Sequence, residues 1–335
     1  MEAAAETETL DLGEMDQAQW NEYAFAQGWS DGFPLVMPTE DLVDRFLATT
    51  HGDNEPLPAM SPRRVIPTLP VLAANAVMAG CRPEYFPAVL AAARAVLTPE
   101  YNLHGSLATT HSCAPMLLYN GPIRKELDIN CSSNCFGQGR QANATIGRAL
   151  QLILLNVGGA KPGVMDRSTQ GSPAKYAFCF GENEEESPWE PFHVRRGFAA
   201  GDSVVTAMPT EAPHNINDHA STSGIGILTT IAGTISQPGA NAIYCNAPIF
   251  LILGPEHAQT LHRDGWTIAD MQEDLFKRSA VPLDQVSKEN QVSYEEMERP
   301  LVNGYYPMTP GPEDIHILVA GGPGKHSAYI PPFGF

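Results

Sequence analysis

Two eight-residue stretches constrain the fold more than any other feature of the chain: Pro115-Met-Leu-Leu-Tyr-Asn-Gly-Pro122 and Pro248-Ile-Phe-Leu-Ile-Leu-Gly-Pro255. Each is a short apolar run closed by Gly-Pro. That pattern predicts a strand buried on both faces, turning at the glycine and opening a helix with proline at its first position. Further strands are predicted at Tyr176–Phe180, Ser203–Ala207, Ile249–Leu253 and Ile315–Ala320. Helical periodicity is clearest over Ala142–Val157, and helices are also predicted at Gln17–Gln27, after Thr39 as N-cap, at Pro70–Met78, Pro83–Leu97, Gly224–Ser236, Pro255–His262 and Ile268–Arg278. Strands interleaved with helices define an α/β fold, expected as two α/β lobes with mixed sheets. The two stretches share Pro, Leu, Gly and Pro at matching places, so an internal duplication is one reading. The alternative is that strand–Gly–Pro–helix is simply a common unit. The expected division is an acidic tail over 1–15, an N-terminal lobe with a helical cap over 16–200 and a C-terminal lobe over 201–335.

The 335 residues carry 20 Lys+Arg against 38 Asp+Glu, a net charge of −18. Such a field repels nucleic acid and anionic membrane surfaces at long range, so neither is an expected partner. The N-terminal segment has neither the basic nor the apolar region of a secretory signal, and no apolar run approaches the length of a membrane span. Six cysteines are too sparse for a disulfide scaffold, which points to reduced thiols in a cytoplasm.

The candidate anion site is Cys131-Ser-Ser-Asn-Cys-Phe-Gly-Gln-Gly-Arg140, which leads straight into the Ala142 helix. Gly137 and Gly139 let backbone N–H groups approach a ligand, and the helix start offers unpaired donors and a positive dipole end. Arg140 and Arg148 can add bidentate contacts, with Asn143 and Thr145 in the first turn. The competing reading is a tight loop with Arg148 in a salt bridge. The spacing matches neither a phosphate-binding Walker loop nor a dinucleotide fingerprint. A second loop, Gly321-Gly-Pro-Gly-Lys-His-Ser327, reads better as a turn into an aromatic tail at Phe333 and Phe335.

His111 and Cys113 stand two apart, so on a strand both would face one side, where the imidazole could stabilise a thiolate. Glu182, first after a predicted strand and Gly181, is the best placed general base. Asp166 and Arg167 either pair with each other or meet substrate. For a metal ion, the ligands would come from Cys131, Cys135, His104, His214 and His219, although no spacing matches a closed zinc site.

The run Asn75-Ala-Val-Met-Ala-Gly-Cys-Arg-Pro-Glu-Tyr85, with Asn120-Gly-Pro, Arg140 to Arg148, Glu182 to Trp189, Gly254-Pro-Glu-His-Ala258 and Asp264-Gly-Trp266, resembles a poorly characterised bacterial family associated with UGSC-type seleno- or cysteine proteins. The resemblance implies thiol-related chemistry but no reaction, and the Cys-Gly-Ser-Cys motif is missing here. Together these features predict a cytoplasmic, thiol-dependent lyase, hydrolase or oxidoreductase acting on a small anionic, carboxylate- or phosphate-bearing substrate. Cys113, His111 and Glu182 would be catalytic, and Gly137, Gly139, Arg140, Asn143, Arg148 and Arg167 would bind. The alternatives are a metal-dependent lyase or hydratase, with a bound metal ion as cofactor, and a non-catalytic subunit of an oxidoreductase system. Self-association as a homo-oligomer fits any of the three.

Overall fold

A computed structural model of the chain describes residues 3–5, 8–53, 55–245, 247–299 and 301–334. It is an α/β protein of two compact units. Unit 1 comprises Met1–Asn130, Phe136–Phe180 and Ser203–Pro209; unit 2 comprises Cys131–Cys135, Gly181–Asp202 and Thr210–Phe335. A single cut near residue 200 does not reproduce this division, because the chain passes between the units several times.

Unit 1 is built on helices α1 (Gln17–Ala26), α2 (Glu40–Leu47), α3 (Leu69–Met78), α4 (Phe86–Val96), α5 (Leu103–Ala108), α6 (Ile123–Glu126) and α7 (Gln141–Ile153). Its small sheet has the order β2-β1-β3, with β1 at Ala114–Asn120, β2 at Cys179–Gly181 and β3 at Val204–Thr210. Helix α1 begins where the Asp16 carboxylate accepts from the Ala18 and Gln19 N–H groups and the Gln19 side chain accepts from the Asp16 N–H. Its apolar stripe buries Trp20 and Ala24 and leaves Phe25 exposed, as the spacing predicts. Thr39 caps α2 by accepting from Leu42 N–H. The core forms where α3, α4 and α7 pack their Ala- and Leu-rich faces around Leu117 and Tyr119 of β1, and the Tyr119 hydroxyl donates to the Ala88 carbonyl at 2.9 Å. Gly147 lets α7 lie against the strand region: a Cβ there would sit 3.0 Å from Phe178 N and 3.2 Å from Cys179 Cβ.

Three expectations for this unit can be set beside its structure. Within the segment expected as an acidic tail over 1–15, Ala5 N–H donates to Ile66 O and Ile66 N–H donates to Ala3 O. The strand expected from Tyr176 starts only at Cys179, since Pro173–Lys175 forms a 3-10 turn that leaves Tyr176 exposed. The helix expected over Ala142–Val157 is found: α7 continues as a π-helical turn over Leu154–Gly158, closed by Gly159 at φ 82°.

In unit 2 the helices are α8 (Phe192–Arg195), α9 (Gly224–Ile235), α10 (Asn241–Cys245), α11 (Pro255–Arg263), α12 (Ile268–Arg278) and α13 (Lys288–Glu296). The strands are β4 (His214–Asn217), β5 (Ile249–Leu253), β6 (Val281–Pro282), β7 (Tyr305–Tyr306), β8 (Ile315–Val319) and β9 (His326–Ile330). The main sheet has the order β4-β9-β5-β8. Strand β5 runs parallel to β8, with Leu251 opposite Ile317, and antiparallel to β9, with Leu251 opposite Tyr329; β4 is antiparallel to β9. Every residue of β5 and β8 is buried, which matches the continuous apolar sequence of β5 and that of β8 apart from His316. The segment expected as a turn into a packed aromatic tail does turn over 321–325, and Phe333 is buried beyond it, but His326–Ile330 between them is a central strand; Phe335 lies outside the described residues. The two sheets differ in strand number and order, and the Gly-Pro after β1 opens a four-residue helix where that after β5 opens one of nine. The internal duplication read from the two stretches therefore finds no support in these sheets.

His316 of β8 is 8% exposed, and burial, then the charges of Arg196 and Arg195, pull its imidazole down to about 4. An exposed imidazole titrates near 6.5, so between pH 6.5 and 4 the unfolded chain takes up a proton that the folded chain excludes. Stability therefore falls as pH drops through that window, by about 3 kcal/mol at its lower end. Urea unfolding at pH 7 and pH 4.5 should show His316→Gln losing less stability than the unsubstituted protein; equal losses would remove His316 as the cause.

Candidate functional site

Within unit 1 a cavity of about 620 Å³ takes its wall from α5, the start of β1, the end of α7 and the loop 160–176. Cys113 lies on it, 3% exposed, and its thiol donates to the Ser106 carbonyl at 3.1 Å. Opposite in chemistry is Lys175, carried in by the 3-10 turn after Pro173. Its ammonium meets Asp166 Oδ2 at 2.7 Å and donates to Ser168 Oγ at 3.0 Å and to the Cys113 carbonyl at 3.3 Å. Burial pushes the Asp166 carboxyl up, but the hydrogen bonds from Lys175 and Ser168 outweigh it and hold the group below the usual carboxylate range. Ser168 also donates to the His111 carbonyl, tying that loop to the segment before β1. Tyr101, on the same wall, has its phenol held well above its ordinary value by burial and then by Cys113.

Two more polar groups line the cavity: Gln151 of α7 and Ser172. The Gln151 Nε2 and Ser172 Oγ atoms are buried and form no hydrogen bond among the described residues. Leaving such a donor or acceptor unsatisfied costs about 1–3 kcal/mol each. Neither residue carries a signal in the sequence that marks it for this role, and neither does Lys175.

The expected binding residues lie elsewhere. Arg148 is clamped to Asp31 by two bonds, Nε to Oδ2 at 2.7 Å and Nη2 to Oδ1 at 2.8 Å, so its fork holds a protein carboxylate. Arg140 is exposed and pairs with Asp128 at 3.3 Å. Asn143 is buried as a brace: its amide donates to the Asn130 and Cys179 carbonyls and accepts from Asn130 N–H. Gly137 and Gly139 are exposed, Gly139 at φ 121°, and no side chain caps the first turn of α7. Arg167 is exposed and donates to Val164 O, while its expected partner Asp166 pairs with Lys175.

Of the catalytic candidates, Cys113 lines the cavity. His111 sits in the bend before β1, not on a strand, so the strand-alternation argument that paired it with Cys113 does not apply. Glu182 belongs to unit 2, fully buried, where its Oε2 accepts from Phe192 N–H at 2.8 Å and so starts α8. Among the metal candidates, His104 is exposed on α5, His214 and His219 are exposed at or near β4, Cys131 is half-buried and Cys135 buried. Among the described residues, no three His, Cys, Asp or Glu side chains converge as a metal-holding group.

Set against known proteins, the chain matches no protein family, no curated protein and no solved structure. Among the described residues, no helix is long and apolar enough to cross a membrane.

Proposed function

We propose that the protein is a cytosolic enzyme that binds a small carboxylate-bearing substrate in the unit 1 cavity, with Cys113 as the reacting thiol and Lys175 as the partner of the substrate's charge. The observation that carries this reading is the wall itself: a thiol, an ammonium and two buried polar groups without hydrogen-bond partners among the described residues line one cavity of about 620 Å³. That volume falls within the range of small-molecule sites, which combine an apolar lining with a few placed polar groups. Lys175 already shares Asp166, which favours a singly charged carboxylate over a phosphate dianion. Ser172 and Gln151 would fix the orientation of the remaining polar atoms. The resemblance to UGSC-type proteins implies thiol chemistry, and Cys113 is the cysteine on this wall.

Thiol alkylation read by peptide mass spectrometry tests the proposal. Burial raises Cys81 to about 12 and also pushes Cys179 and Cys245 up. For Cys81, three units above the ordinary 9.0 mean about a thousandfold less thiolate. Those three thiols should therefore be slow. Cys113, which lines the cavity, is expected to label, to be protected by a subset of small carboxylates, and to lose that protection in Lys175→Met. Failure of Cys113 to label in the folded protein, or labelling that no carboxylate slows, would sink the reading.

A further inference from the structure

The geometry points to a two-histidine site for a divalent transition-metal cation in unit 2, formed by His219 and His326 and oriented by Asn215. His326 opens β9, and His219 follows β4 by two residues. The two Nε2 atoms stand 3.1 Å apart, with the rings at 79° to one another. Two imidazole nitrogens on one metal at about 2.0–2.1 Å would be about 3.3 Å apart at a tetrahedral angle and about 3.0 Å apart in a right-angled arrangement. The observed separation lies between those values.

The second ring nitrogen of His326 supplies the independent support. Its Nδ1 lies 3.0 Å from Asn215 Oδ1. That oxygen can only accept, so Nδ1 carries the hydrogen, and the neutral ring is left with its lone pair on Nε2, the atom that faces His219. A metal-binding histidine is held in this way, with its far N–H donated to a neighbouring oxygen that fixes both tautomer and orientation. Asn215 stands diagonally across the β4–β9 ladder from His326, whose direct partner is Asn217. His214 lies on the opposite face of β4 from Asn215, which separates it from the site and replaces the His214/His219 pairing expected from sequence.

Two imidazoles select zinc, nickel(II) or copper(II) over magnesium or calcium, which prefer oxygen. With two protein ligands, the remaining positions fall to water or a small ligand, as in open metal sites. Both histidines are exposed, so the cation has access. The net charge of −18 attracts it at long range. The opposing local charge is Lys325, whose ammonium donates to the His219 carbonyl at 3.2 Å. Without the cation, one ring donates to the other, and the metal takes the place of that shared hydrogen.

Titration of tag-free protein with Zn²⁺ and with Ni²⁺, followed calorimetrically, tests the site. One saturable equivalent is expected. His326→Ala and His219→Ala should each weaken it at least tenfold, and Asn215→Ala by about tenfold or more, because only the orientation of His326 is lost. All three positions are exposed, so unchanged thermal midpoints are expected of the variants. Ni²⁺ should also broaden the ring-proton signals of His219 and His326 ahead of the other histidines. No saturable binding, binding that survives in both histidine variants, or broadening confined to other histidines would overturn the assignment. The cavity reading does not depend on any of these outcomes.

Discussion

Gly254→Ala is expected to destabilise unit 2 by about 3 kcal/mol, while Gly233→Ala, the same added methyl group, should leave it unchanged or stabilise it by up to about 1 kcal/mol. Gly254 sits at φ −68° and ψ 151°, a conformation open to any residue, so the difference is steric and not conformational. A Cβ at 254 would drive into the carbonyl oxygen of His326 and lie 3.3 Å from its carbonyl carbon and 3.4 Å from the Gly324 carbonyl oxygen. These are backbone atoms of the central strand and the loop that feeds it, and a strand paired on both sides cannot give way cheaply. The Gly254 N–H also donates to Ser327 Oγ, so any shift that relieves the clash breaks a buried hydrogen bond. Gly233 lies on α9 with nothing within 4 Å of its added methyl group, where alanine only improves helix propensity. Urea unfolding of both variants gives the comparison. A loss at 254 below about 1 kcal/mol would mean that β9 moves freely and would undo its description as the fixed centre of the sheet.

That strand also marks the limit of what the sequence discloses. Ile249–Leu253 and Ile268–Arg278 are found at the predicted limits, since a continuous apolar run or a capped amphipathic repeat is written in neighbouring residues. His326–Ile330 contains only five residues after a glycine-rich loop, and locally that reads as a turn. Its identity as a strand comes from partners more than 70 residues away in β5 and more than 100 away in β4. The same distance rule hides β4, whose polar His-Asn-Ile-Asn sequence carries one buried side chain.

The candidate site divides in the same way. Cys113, singled out in the sequence by its spacing from His111, lies on the cavity wall. Lys175 was not singled out: a lone lysine after Pro-Ala has no motif, and its role depends on Asp166 nine residues earlier and the Cys113 carbonyl 62 residues earlier. Glu182 was legible as a distinctive acid at a strand end, but its bond to Phe192 N–H gives the carboxylate work inside unit 2. For Arg148 the sequence left a ligand contact and a salt bridge open, and it could not name the partner, because Asp31 is 117 residues away.

Arg148→Ala should in consequence behave as the loss of a structural clamp, costing unit 1 about 3–5 kcal/mol. Both partners are largely enclosed, their side chains 15% and 13% exposed, so removal of the guanidinium leaves the Asp31 carboxylate without its bidentate partner in a poorly solvated place. The same guanidinium donates to the Pro34, Phe33 and Ala79 carbonyls and lies over the Phe33 ring at 5.6 Å. It thereby ties the chain after α1 to the end of α3 and to the middle of α7. Arg148→Lys keeps the charge but cannot reproduce the fork, so a loss between that of alanine and zero is expected. Pairing Arg148→Ala with Asp31→Asn should recover part of the deficit, because the stranded charge is gone while the carbonyl contacts remain broken. If Arg148 bound substrate instead, its alanine variant would keep the unfolding midpoint and the double variant would recover nothing. Urea midpoints for the four proteins distinguish a clamp from a ligand contact.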